Sequence, residues 1–447
     1  MQGMNFMEIL GFILLYTFTL ISIFLLVRNS GISVFRISIP MIVFWSVLIF
    51  AYIGFPFIVF KQVPLYVNQG VTNDSTLWKS FLLSSFVWLQ FFAGYYAGGK
   101  LFNASKKKLT ISFDKSSNRL NLPLFYMLFL MSIAVFVVYL SKVQNVALFE
   151  AIKGTNRFLI AFYRSEMTNN FQNYHRYALF FNTVIPFLSY VAWAEFLLTR
   201  EKKWKRTFIL LFLISAFALV MDTQKAPVIW YIAALASILW VIKGIKINVK
   251  SLIKIGSVSL LVLMLMYSIF MGAELNINTL KNPVQRAFTG QLAPLYWYLE
   301  IYPDQQDFVG GRTFPNPGGI LPWESYRYTV EVSNYVREFN NDQRLNNIVG
   351  SSPTAFFGEL WVNFGIWLNI LLPFYLGVLI LAIHNQFLKK PIGAIGVSLM
   401  IWLAFHFREL ATTGISKYLF DLELYVILII CYLFTQSSRA KTRHNYR

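Results

Sequence analysis

The sequence predicts an all-α polytopic membrane protein, and three observations predict it. The 447 residues are 57% hydrophobic and 13% charged, against roughly 25% charged residues in soluble domains. Apolar runs near the ~20 residues that cross a bilayer recur along the whole chain. Lysine and arginine gather in alternate connections between those runs, the pattern that marks cytoplasmic loops.

Taken in order, the apolar runs give eleven expected spans: 9–27, 39–60, 76–99, 122–140, 177–198, 207–221, 226–242, 252–271, 357–383, 391–407 and 415–434. The first has no basic residue before it and no small-residue cleavage site after it, so it reads as a retained helix. The sixth and seventh are short enough to tilt or to pair as a helical hairpin. Gly94 and Gly98 form a GxxxG in the third, a pattern for close helix packing. Arg28 and Arg36, the run Lys100 to Arg119, Arg200 to Arg206, Lys243 to Lys250, Lys389 with Lys390, and Arg439 to Arg447 fall in alternate connections. The expected orientation is therefore N-terminus external and C-terminus cytoplasmic, in a single integral membrane domain over 1–447.

The expected external segments are 61–75, 141–176, 222–225, 272–356 and 408–414. The large loop, 272–356 between spans 8 and 9, holds six Lys/Arg and eight Asp/Glu, unlike any cytoplasmic connection. Its length points to function or to structure of its own. Within it, Thr329 to Asn341 reads as a short amphipathic helix, and Arg312 to Pro322 as irregular backbone. Ser351 to Leu360 reads as the entry of the ninth span, with the serines before Pro353 as caps.

Composition also excludes. The net charge of +19 is accounted for by the cytoplasmic loops, so no nucleic-acid partner is implied. A lone Cys431 allows no intramolecular disulfide. The chain has no Walker A, HExxH, GxSxG or dinucleotide fingerprint, so it carries no nucleotide module and no expected cofactor. Asp304 with Asp307 and Glu338 with Asp342 lack His or Cys support, and no metal site is expected. Any chemistry then falls on the outer face, with a substrate already activated there.

External cations are the candidates for holding a pyrophosphate, because arginine offers phosphate oxygens a rigid fork. They include Arg157 and Arg164 in the 141–176 loop, Lys225 in the turn 222–225, Arg286 and Arg312 in the large loop, and Arg408. Lys225 and Arg408 stand at the outer mouths of helix pairs, where a charge near hydrocarbon is costly and tends to be functional. Glu359 and His406 are the candidates for a general base. Glu409 neighbours Arg408 and is placed to neutralise it; Lys417, four before Asp421, is placed for an ion pair on one helix face. Aromatics between Trp323 and Tyr335 could stack on sugars.

Five stretches resemble the Wzy-type O-antigen or oligosaccharide repeat-unit polymerases: GSSPTAFFGELWVNFG (Gly350 to Gly365), GRTFPNPGGILP (Gly311 to Pro322), NRFLIAFYRSEM (Asn156 to Met167), DTQKAPVIW (Asp222 to Trp230) and HFRELATTGISKYL (His406 to Leu419). Where members of that family often carry arginine in the short turn before the seventh span, this chain has Lys225. The resemblance implies a multi-span, GT-C-like, metal-independent glycosyltransferase of the bacterial cytoplasmic membrane. It would join undecaprenyl-pyrophosphate-linked repeat units at the outer face, beside a flippase and a chain-length regulator. Arg157, Arg164, Lys225 and Arg408 are expected to line one outward cavity. The alternatives are an O-antigen ligase-like enzyme using the same donor, and a flippase or transporter of polysaccharide units.

Overall fold

A computed structural model describes residues 5–102, 111–113, 120–245, 284–316, 319–339 and 350–444, with isolated positions at 250, 257, 261, 264 and 268. The described residues are all-helical, without a strand. Eight helices among them are long and apolar enough to cross a membrane: Phe6–Asn29, Ile39–Val59, Leu122–Lys142, Tyr174–Thr199, Ala226–Lys243, Ile366–Lys389, Ala394–Ala411 and Ser416–Thr435. This is the build of a polytopic membrane protein. The expected third and sixth spans also occur as helices, Asp74–Leu101 and Lys202–Val220. Of the expected eighth, 252–271, only 257, 261, 264 and 268 are described, and 272–283, 317–318 and 340–349 of the large loop lie outside the described residues.

In chain order the helices are α1 (Phe6–Asn29), α2 (Ile39–Ala51), α3 (Phe55–Val59), α4 (Pro64–Asn68), α5 (Asp74–Leu101), α6 (Leu122–Lys142), α7 (Ala147–Ile152), α8 (Arg157–Met167), α9 (Tyr174–Ala178), α10 (Ile185–Thr199), α11 (Lys202–Val220), α12 (Ala226–Lys243), α13 (Leu292–Ile301), α14 (Tyr328–Phe339), α15 (Phe356–Phe364), α16 (Ile366–Lys389), α17 (Ala394–Arg408), α18 (Ser416–Leu419) and α19 (Leu422–His444). Starts follow local chemistry. Asn5 and Glu8 form a reciprocal capping box on α1, and Ser38, Asn121 and Asn156 cap α2, α6 and α8.

Glycine sets the closest helix contact. Gly94 lies against the backbone carbonyl of Phe374, Gly377 lies against that of Phe91, and Gly98 faces Leu381. Helices α5 and α16 thus meet backbone to backbone, as small residues permit. At one end of the bundle, the Tyr296 hydroxyl accepts from Asn73 N at 3.2 Å and Leu148 N donates to Met221 O at 3.0 Å. Thr76 donates to Glu300 there, at 2.6 Å. Segment 61–75 and the start of α5 thus meet the large loop, and segment 141–176 meets the end of α11. At the opposite end, Ile392 N donates to Ser112 O at 2.9 Å.

Three local expectations need correction. The stretch 357–383 is two helices, because Gly365 takes φ 60 and ψ −135, a conformation essentially reserved for glycine. Helix α15 starts at Phe356 with no side-chain cap; instead Ser352 pairs with the loop, its N–H donating to Thr329 O and its carbonyl accepting from Tyr298. Lys417 and Asp421 do not share a helix face, since the helix breaks at Phe420 between them. The large loop has structure of its own, as its length implied: α13 is almost wholly apolar and is buried along its length. The amphipathic helix expected at 329–341 forms as α14.

Candidate functional site

The site starts from the turn between α11 and α12. Helix α11 ends at Val220, and Thr223 takes a left-handed φ of 60 that reverses the chain. The buried Asp222 closes the turn by accepting from Gln224 N at 3.1 Å. Burial raises the Asp222 carboxyl, opposed by Gln224 and by the Arg164 guanidinium. Lys225 stands at the N-terminal cap of α12 with Pro227 behind it in the first turn. Burial, then Arg286, then Arg164, bring its ammonium from 10.5 to about 8. Three cations from three separate segments therefore act on one turn, with one buried acid among them. An anion entering there would relieve their mutual repulsion.

Helix α12 carries a second feature. Trp230 follows Lys225 by about 7.5 Å along the helix axis, and the Arg408 guanidinium stacks on its ring, 4.0 Å from the centroid. Arg408 is 7% exposed. Its Nη2 donates to Glu409 Oε1 at 3.0 Å and its Nε to Phe405 O at 3.3 Å. The neutralising role expected for Glu409 is present as an ion pair, but Trp230 and Phe405 hold Arg408 as well.

His406 lies on the same helix as Arg408. Its ring stacks on Trp402 at 4.8 Å, and Nε2 is 3.4 Å from Tyr418 O. Tyr418 is buried; its hydroxyl donates to Thr413 O, and it lies within the fields of Arg408, Glu409 and Glu359. It joins the Arg408 group to the Glu359 group.

Glu359 is 0% exposed. Oε1 accepts from the Thr313 hydroxyl at 2.6 Å and Oε2 from Ser416 N at 2.9 Å. Asn363, one turn on, donates to Thr313 Oγ1 at 2.6 Å and accepts from Gly311 N at 2.8 Å. Burial raises the Glu359 carboxyl above its ordinary range, against these donors. In this arrangement Glu359 is a latch between the large loop, α15 and the 412–416 turn. Gly414 fits beneath it because a side chain there would meet the Glu359 carboxylate and the Tyr328 hydroxyl.

Of the expected cation set, Arg164 of α8 acts on Lys225 at the start of α12, and Trp230 of α12 carries the stacked Arg408. Arg157 begins α8, about 10 Å along the helix from Arg164; its side chain lies outside the described residues. Arg312 is set apart: it is exposed, donates to Val309 O, and lies over the Tyr326 ring at 5.8 Å. Tyr326 belongs to a hydroxyl chain in which Tyr302 and Tyr326 are 2.8 Å apart and Tyr326 donates to Gln306 at 2.9 Å. Among the described residues, no three His, Cys, Asp or Glu side chains come together as a metal would need.

Comparison with known protein families, characterised proteins and solved structures gave no match.

Sequence reasoning passed over three members of this site. Trp230 was visible within DTQKAPVIW, five residues after Lys225. Asp222 opens the same stretch. Tyr418 falls within HFRELATTGISKYL, but only the fold places it near Arg408, Glu409 and Glu359.

Proposed function

We propose that this chain is a membrane-embedded glycosyltransferase that polymerises undecaprenyl-pyrophosphate-linked oligosaccharide units, contributing to O-antigen, capsular or another exported polysaccharide. The observation that carries the reading is that Arg164 and Arg286, from two other segments, act electrostatically on Lys225 in the turn before α12. Helix α12 links that turn to the stacked Arg408. In this reading the chain crosses a bacterial cytoplasmic membrane eleven times, and the site faces the periplasm or the exterior. A flippase would deliver the units, and a chain-length regulator would set where growth stops.

The cations would hold the donor's pyrophosphate and stabilise the charge that develops as the glycosidic C1–O bond breaks. The acceptor's terminal sugar hydroxyl attacks C1, its proton passes to a base, and undecaprenyl pyrophosphate leaves. His406 is assigned the base role, because both Glu359 carboxylate oxygens are engaged in holding the loop. Tyr326, partly exposed beside Arg312 and held by the buried Tyr302 hydroxyl, offers a flat face and a polar tip to the sugars. No cofactor enters this scheme.

The test is chain growth by the purified protein supplied with defined lipid-linked units and no other acceptor. Products extended by whole units support a polymerase. Transfer that appears only after a different acceptor is added points to a ligase using the same donor. Movement of intact units across the bilayer without a new bond points to a transporter.

A further inference from the structure

The connection between α6 and α9 leaves an apolar surface that the catalytic reading does not use. Helices α7 and α8 form a hairpin around Gly154, whose φ of 78 turns the chain. Its inner side is tied to the bundle. Tyr139 of α6 donates to Met167 O at 2.8 Å, Ala147 N donates to Met167 Sδ at 3.1 Å, and Leu148 N donates to Met221 O at 3.0 Å. Ile160 and Met167 are buried against this support.

The outer side is also apolar. Phe149, Ile152, Phe158, Leu159 and Phe162 are all exposed, Ile152 at 67% and Leu159 at 48%. An apolar patch of this kind on a chain segment requires an occupant. The surroundings say which. Phe149 packs on Phe217 near the end of α11, at 6.0 Å between ring centroids. Val137 and Val138, also exposed, lie near the end of α6, a membrane-crossing helix. The hairpin's outer face is thus joined to α11 through Phe149, and exposed apolar surface also lies near the end of α6. Basic groups border it: Lys142 ends α6 and donates to Tyr177, Lys153 occupies the hairpin turn, and Arg164 lies near the end of α8. Apolar residues on one side with cations at the edge are what a helix lying in the headgroup region requires.

We propose that the α7–α8 hairpin lies in the plane of the membrane interface, with Phe149, Ile152, Leu159 and Phe162 among the acyl chains. The occupant of the patch is the bilayer itself. Resting on the reading of the site given above, this places Arg164 at headgroup depth. A lipid-linked pyrophosphate would then reach Arg164 and Lys225 sideways from the bilayer, without leaving it.

The test reads depth and does not require catalysis. In a Cys431→Ser background, the full chain carries single cysteines at Ile152, Leu159 or Phe162, labelled with an environment-sensitive fluorophore and reconstituted in nanodiscs. Leu130→Cys, on the exposed side of α6, is the membrane reference, and Asp307→Cys in the large loop is the water reference. The hairpin labels are expected to emit blue-shifted relative to Asp307. They should be quenched most by lipids brominated near the headgroup, and be shielded from aqueous iodide. Iodide quenching equal to that at Asp307 overturns the proposal. So does protection from both quenchers, which would mean that a second copy or another protein covers the face. The three sites are exposed, so their labelling does not depend on repacking a core. Failure here would leave the polymerase reading standing, and failure of polymerisation would leave the depth result intact.

Discussion

Raising the pH should weaken donor capture through Lys225. Its ammonium, brought from 10.5 to about 8 by burial and by Arg286 and Arg164, is about nine-tenths charged at pH 7 and about one-tenth at pH 9. If that charge holds the pyrophosphate, kcat/KM, which reports the free enzyme, falls about tenfold over this range. At saturating donor the fall in kcat moves to higher pH, because a bound polyanion favours the charged amine. Folding runs with the opposite sign. A lysine whose pKa is depressed in the folded chain contributes stability that is present above 10.5 and lost as pH falls through about 8. Between those values the fold gains from Lys225 while activity declines, so unfolding linked to this residue cannot mimic the effect. Lys225→Arg keeps its charge throughout, and its kcat/KM should stay level from pH 7 to 9. The assay is chain extension in proteoliposomes at fixed ionic strength, since screening changes with salt. A Lys225→Arg profile falling as steeply as that of the unaltered protein would refute the assignment.

Other substitutions separate the parts of the site. Arg408→Ala should abolish chain lengthening while the protein remains in the membrane at normal abundance; full-length polymer from that variant would remove Arg408 from the mechanism. Trp230→Ala leaves the Arg408 charge but removes a stacking contact of about 1–2 kcal/mol, so activity should drop by about tenfold, checked by initial rates. Glu359→Ala strands the Thr313 hydroxyl and Ser416 N–H, at about 1–3 kcal/mol for each buried donor, and should lower the melting temperature. Gly94→Val pushes a branched side chain into the Phe374 carbonyl, and should reduce the folded yield in detergent, measured by size-exclusion chromatography.

Helix positions were legible because apolar run length and capping chemistry are local properties. Nine of the expected spans have a described helix closely matching their range, such as α6 at Leu122–Lys142 for 122–140. The ninth span was drawn too long because Gly365 reads as an ordinary glycine until its backbone angles are known. The burial of α13 could be read in principle: LAPLYWYLEI has no polar face, and such a helix must go inside. Its position between charged, Gly/Pro-rich stretches hid it within a loop. The cations Arg164, Lys225 and Arg408 could be selected individually by their setting near apolar sequence. Their placement in one cavity was an expectation; the contact of Arg408 on Trp230, 178 positions apart, could not be read from the sequence. The role of Glu359 was hidden for the same reason, since its partners, Thr313 and Ser416, are 46 and 57 positions away.

The most direct measurement is the stoichiometry of bond formation by the purified chain in defined membranes, given only undecaprenyl-pyrophosphate-linked units. A ladder of products one unit apart is expected, with one undecaprenyl pyrophosphate released for each new glycosidic bond. Units that stay single, with no undecaprenyl pyrophosphate released, would contradict the account.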